Sequence, residues 1–161
     1  MDARAPAGVS TVPRSALVAA VVAHLPTIAA GAAERDRDRV LPRAELDLLS
    51  SLGALAVTVP TTHGGPGGGA TEAAELLRLL ATADPNVAQV PQSHFVYLRL
   101  AEIAGSPALQ EQLFEDVLGG ARVANAQSER TGATVADITT RVRIDDQGWA
   151  VVDGEKFYAT G

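Results

Sequence analysis

Residues 138–161 read "ITTRVRIDDQGWAVVDGEKFYATG", and their period differs from everything before them. Apolar residues alternate with polar ones here instead of recurring every three or four positions. Asp-Asp-Gln-Gly at 145–148 and Asp-Gly at 153–154 punctuate the run as turns between short strands do. Three β segments are expected. Ile138, Val142 and Ile144 mark the first, and Trp149, Val151 and Val152 the second. In the third, Phe157 and Ala159 share one face and Tyr158 takes the other. So few strands leave exposed edges and bury little. The stretch therefore reads as the start of an antiparallel, β-barrel-like domain that a longer chain would complete.

Upstream the period is helical. Ser15 reads as the cap of a helix whose face carries Leu17, Val21, His24, Leu25 and Ile28, with a kink or break at Pro26. The mixed-sign run "ERDRDR" at 34–39 reads as a solvated helix end. In "PRAELDLLSSLG" (42–53), Pro42 suits a first turn, Leu46, Leu49 and Leu52 line a buried face, and Gly53 suits the position past the end. "ALAVTVP" (54–60) reads as a short extended piece. "TTHGGPGGG" (61–69) must be a loop, and it lacks the lysine and hydroxyl of a phosphate-binding P-loop. Helices resume near Thr71, with Leu76, Leu77, Leu79 and Leu80 apolar, and over Val87–Ile103, where Pro91 splits the helix or limits its start. Ser106 caps a last one that buries Leu109, Leu113, Phe114, Val117 and Leu118 and stops at Gly119 and Gly120. The expected fold class is α+β: a flexible tail (1–14), an all-α N-terminal domain (15–119) and an incomplete β domain (120–161).

Composition narrows the function. The formal charge is −6 with no basic block, which argues against a nucleic-acid partner. The chain has no cysteine, which excludes disulfides, cysteine nucleophiles and thiolate metal sites and fits a reducing compartment. His24, His63 and His94 lie too far apart in sequence for paired-ligand spacing. No signal peptide or membrane span is expected, and a cytoplasmic soluble protein is the default.

Four pieces in order carry a family likeness: "LPRAELDLLSSLGALAVTVPTTHGGPGG", "LLATADPNVAQVPQSHF", "ANAQSERTGAT" and "VVDGEKFYATG". Together they resemble the N-terminal half of the acyl-CoA dehydrogenase superfamily over residues 39–161. The resemblance implies a flavin, FAD or FMN. It places Ser128 and the Gln127 backbone at the pyrimidine side of the ring, with Asn125 nearby, and brings Tyr158 and Thr160 to the flavin from the last strand. The family's Thr-Glu-Pro and Gly-Ser are represented here by Ser128, Glu129 and Arg130, then Gly132 and Ala133, with Thr134 just after. The proline is absent. The pattern "NAQSE", "RTG", "EKFYATG" looks more like the flavin-dependent monooxygenases of desulfurisation and sulfur acquisition than like mainstream dehydrogenases.

On that likeness, Asn125 and His94 are the candidate catalytic residues, placed where oxygen reacts. Gln127, Ser128, Tyr158 and Thr160 are the cofactor candidates, and His94, Phe95 and Thr134 the substrate candidates. No metal site is expected. The implied partners are a small organosulfur or related substrate, a flavin reductase and, in full length, copies of the same chain in a homotetramer. Each residue also has a plainer reading: His94 as a satisfied, partly buried histidine, Asn125 as a strand-edge hydrogen bonder, Ser128 as a surface residue, Tyr158 as sheet packing. Glu129 balances Arg130 or Lys156 and takes no acid–base role. Two other functions stay open, an acyl-CoA dehydrogenase acting at Cα–Cβ of an acyl thioester and a noncatalytic helical interaction module. The 161 residues alone are expected to bind flavin weakly and catalyse little.

Overall fold

The computed structural model describes residues 14–130, 132, 134 and 136–160. The expected tail lies outside the described residues except for Arg14. Two compact units divide the chain after Val123, and each is taken by itself.

The first unit holds six helices among the described residues: α1 (Arg14–Ala30), α2 (Ala32–Asp38), α3 (Arg43–Ser51), α4 (Ala70–Ala83), α5 (Pro85–Ala104) and α6 (Pro107–Leu118). Leu17, Val21 and Ile28 of α1, Leu46 and Leu49 of α3, Leu76 and Leu80 of α4, and Val87 and Phe95 of α5 form one buried cluster. Each buried Leu removes apolar surface from water, contributing roughly 2 kcal/mol. A second cluster joins Val59, Leu98, Phe114 and Val117. Leu109 of α6 is not in it and is 51% exposed, against the expectation from spacing.

Neither interior proline breaks its helix. Pro26 lies within α1 and Pro91 within α5. The chain bends instead by 50° at Gly31, between α1 and α2. An interior proline costs about 3 kcal/mol. In α5 part of that is offset where the buried Asp84 carboxylate caps the start, accepting from the N–H of Asn86 at 2.9 Å and Val87 at 3.4 Å. No single helix among the described residues is long and apolar enough to cross a membrane.

The piece expected to be extended at 54–60 is instead a 3₁₀ turn over Ala54–Ala56 followed by further turns. Local bonds satisfy its backbone, from Ala56 N–H to Gly53, Val57 to Ala54 and Val59 to Ala56. Gly53 starts this path at φ 73°, where a side chain would be strained. The piece is apolar apart from Thr58 because it is buried: Ala54, Leu55, Val57 and Val59 are all in the core.

The charged run is not all solvated. Arg35 of α2 sits partly buried between Asp84 and Glu45, donating to each at 2.7 Å, and also donates to the Ile28 carbonyl. Its side chain is 12% exposed and that of Asp84 is 0% exposed.

In the second unit the barrel-like expectation is overturned. Its described residues form one two-stranded antiparallel sheet, not closed into a barrel. Strand β1 (Arg141–Ile144) pairs with β2 (Ala150–Asp153), with Val142 opposite Val152 and Ile144 opposite Ala150. Ile138 and Trp149 fall outside the strands. The expected third strand is not one: only isolated bridges pair Phe157 with Ser128 and Thr160 with Asn125. Tyr158 has φ 58°, which breaks the two-residue alternation an extended strand requires. Val142, Ile144 and Val152 each remain 66% exposed, so the hairpin encloses no core of its own.

Candidate functional site

The two isolated bridges gather five of the sequence candidates. Asn125 and Thr160 exchange backbone bonds at 2.7 and 2.8 Å, and Phe157 N–H donates to the Ser128 carbonyl at 2.8 Å. Both pairs belong to one antiparallel register, which sets Gln127 opposite Tyr158. Residues 125–128 and 157–160 thus run side by side as a short double edge.

This edge is polar and accessible. Gln127 and Ser128 are exposed, Asn125 and Thr160 half-buried. Tyr158 is 73% exposed. Its left-handed backbone is uncommon for a bulky residue, and such conformations persist where the surroundings over-determine them. Arg130 lies against the same turn. Its guanidinium sits 4.5 Å from the Phe157 ring centroid and 5.0 Å from that of Tyr158, and it donates to the Tyr158 hydroxyl at 3.3 Å. Beneath it, Lys156 donates to the Gln127 carbonyl at 3.3 Å and to Glu129 at 2.7 Å.

The donor set fits a flavin. Hydroxyls on Ser128 and Thr160, the Asn125 carboxamide and the Gln127 backbone are the kinds of mixed donors and acceptors that a pyrimidine edge needs. Thr134 stands apart from the edge in a local turn, where its N–H donates to Asp137 at 2.7 Å and its hydroxyl accepts from Ala136 N–H at 3.3 Å. Ala133 lies outside the described residues.

The other two candidates belong to the first unit. His94 is 2% exposed, and both ring nitrogens are engaged. Val123 N–H donates to Nδ1 at 3.1 Å, so Nε2 carries the proton of the neutral ring and donates to the Leu55 carbonyl at 2.8 Å. Burial holds its pKa below the usual histidine value. The bond to Leu55 opposes that shift, and the charge of Arg122 adds to it. Arg122 itself pairs with Asp47 at 2.7 Å rather than standing as a free surface charge.

Phe95 packs edge-on to His94, with ring centroids 5.3 Å apart. It also lines a cleft of about 530 Å³ between α4 and α5, with Ala73, Leu77, Gln92 and Thr58. The Thr58 hydroxyl is buried with no hydrogen-bond partner among the described residues.

The balance expected between Glu129 and Lys156 is present at 2.7 Å, but sequence reasoning missed the threonine donors around Glu129, the Arg130 ring contacts and the Arg35–Asp84 pair. The only signal for the Arg130 contacts was a hydroxyl-acid-base triplet, Ser-Glu-Arg, opposite the aromatic pair at 157–158.

Comparison with known proteins follows the same lines. The family model for the acyl-CoA dehydrogenase N-terminal domain matches residues 15–121. Dibenzothiophene monooxygenase of Rhodococcus erythropolis is 28% identical over 132 residues, covering 82% of this chain and 32% of that protein. The probable acyl-CoA dehydrogenase FadE25 of Mycobacterium tuberculosis is 29% identical over 135 residues, covering 83% and 34%. The chain thus spans about a third of the length of these curated relatives. Among solved structures, methanesulfinate monooxygenase MsuC from Pseudomonas fluorescens matches with TM-score 0.69 and 27% identity, over 90% of this chain and 35% of that one. FMN-bound TdsC from Paenibacillus sp. A11-2 matches with TM-score 0.80 over 91% and 36%, but at 21% identity that likeness is one of fold.

Proposed function

The chain belongs to the acyl-CoA dehydrogenase family and is related to its organosulfur monooxygenases, and from that premise we propose that it serves a flavin-dependent oxidoreductase oxygenating a small organosulfur compound. The observation that carries this reading is the double edge, where one register brings Asn125, Gln127 and Ser128 beside Tyr158 and Thr160.

Bound as FAD or FMN, reduced flavin would supply two electrons to dioxygen, so that one oxygen atom enters the substrate and the other leaves as water. The chain's own residues bind and orient. Ser128 and Thr160 hold the ring edge through their hydroxyls, Gln127 adds backbone groups, and Asn125 steadies the side where oxygen reacts. Separately, the cleft beside Phe95 offers an apolar wall to a compact sulfur heterocycle. His94 has both nitrogens committed, so we read it as holding the 55 and 123 backbones in place and as shaping the wall behind Phe95. Thr134 is retained as a substrate contact by the family likeness alone. A separate reductase would supply the reduced flavin, and the assembly is a homo-oligomer.

The dehydrogenase reading remains second, favoured by the likeness to FadE25. Isotope labelling separates the two. The protein carrying this chain is given reduced flavin, ¹⁸O₂ and dibenzothiophene, and the product is weighed. One labelled oxygen per oxidation step supports the monooxygenase. Unlabelled thiophene together with desaturation of an acyl thioester would replace it with the dehydrogenase.

A further inference from the structure

Outside the edge, one carboxylate collects an unusual number of donors. Glu129 accepts from the Thr139 N–H and hydroxyl, both at 2.6 Å, from the Thr140 N–H at 3.0 Å and the Thr140 hydroxyl, and from Lys156 at 2.7 Å. Its side chain is only 2% exposed. These donors come from two separate segments. Thr139 and Thr140 lead into β1, and Lys156 directly precedes the 157–160 half of the edge.

Glu129 itself follows Ser128 directly. Glu129 reaches the threonines and Lys156, while Arg130, at a bend, lies over Phe157 and Tyr158. The two neighbouring residues thus both hold the 156–158 turn. Charge-assisted bonds are the stronger kind, and a carboxylate has about four acceptor sites, which these donors fill. Lys156 above all, then Thr139 and Thr140, hold the carboxyl far below the usual carboxylate range, so it stays ionised at every physiological pH. It has no spare lone pair for proton transfer.

We infer that Glu129 is a positioning residue: it ties three segments together so that Ser128, Tyr158 and Thr160 are presented to the flavin in fixed register. This rests on the proposed flavin edge, and the test keeps the two separable. Glu129→Gln retains the size but loses the charge and turns an NH₂ toward groups that are themselves donors. Thr140→Val, a milder change, removes one hydroxyl donor. Glu75→Gln, at an exposed pair with Arg78 on α4, is the control.

The 161-residue chain and its variants are compared in two measurements. Amide exchange reads the Thr139, Thr140, Phe157 and Thr160 N–H groups, and an FMN titration reads affinity and the shape of the bound-flavin absorption bands. The expected result for Glu129→Gln is about tenfold faster exchange at those four amides, about tenfold weaker FMN binding and altered flavin bands. Thr140→Val should show a smaller change of the same kind, and Glu75→Gln none. FMN binding by Glu129→Gln with native affinity and bands would overturn the inference. If the unaltered chain binds no FMN, the edge reading fails, and exchange alone decides the anchor: faster exchange at Phe157 and Thr160 supports it, and unchanged exchange overturns it.

Discussion

Asn125 and Thr160 exchange both of their backbone hydrogen bonds, at 2.7 and 2.8 Å, although no regular strand contains either residue. The pairing is a property of two short segments and of the groups that clasp them. Thr160→Pro removes the N–H that donates to the Asn125 carbonyl. One such bond is worth about 1 kcal/mol, so the Asn125 amide should exchange about fivefold faster. Unchanged protection would show that the bridge is absent in solution.

Arg35 and Asp84 form the most buried ion pair among the described residues, and Asp84 also caps α5. Removing one member leaves the other charged and desolvated, which costs about 3–5 kcal/mol. Asp84→Ala and Arg35→Met should each lower the unfolding free energy, read from the denaturation midpoint and slope, by that order. The double substitution should cost clearly less than the sum, because the fully buried Asp84 charge is no longer left without Arg35. A purely additive result would mean that the pair is not coupled.

The glycine loop makes an internal comparison possible. Gly64 has φ 81°, but a Cβ there would meet only Leu118 Cδ1 at 4.0 Å. A Cβ on Gly65 would overlap the Val59 carbonyl and side chain, and backbone cannot yield cheaply. Gly64→Ala is expected to cost about 1–2 kcal/mol from strain alone. Gly65→Ala should cost more, about 3 kcal/mol, as overpacking does. Urea denaturation of both variants checks the order.

His94 should leave a mark on stability against pH. Its folded pKa is lowered, chiefly by burial, and its unfolded value is near 6.5. As pH falls below about 6.5 the unfolded chain takes up a proton that the folded chain refuses. Stability is therefore full above that pH and declines below it, by at most about 1.4 kcal/mol per pH unit. His94→Gln should be less stable at pH 7.5 and should lack this decline between pH 6.5 and 5. A parallel decline in the variant would assign the effect to other groups.

These residues show what the sequence made legible. Spacing found the helix faces of Leu17, Val21 and Ile28 and of Phe114 and Val117, because a 3.6-residue period is local information. It did not find the partial burial of Arg35, whose partner Asp84 lies 49 residues along the chain. It took 54–60 for an extended piece because a buried apolar turn and a buried strand have the same composition. The third β segment failed at Tyr158, whose positive φ no alternation pattern signals. The membership of the edge was legible only through family likeness; the Glu129–Lys156 balance was legible from the sequence, but the threonine donors and the Arg130 ring contacts came only from the geometry. His94 was recognised as a polar residue on α5, but its two bonds to backbone at 55 and 123 are set by packing.

The most direct measurement of the central claim is an NMR titration of the isotopically labelled chain with FMN, read amide by amide. The account predicts concerted shifts at Asn125, Gln127, Ser128, Tyr158 and Thr160, with β1 and β2 largely unmoved and weak affinity sufficient to see them. Absence of shifts at millimolar FMN, or shifts confined to residues outside 125–128 and 157–160, would contradict it.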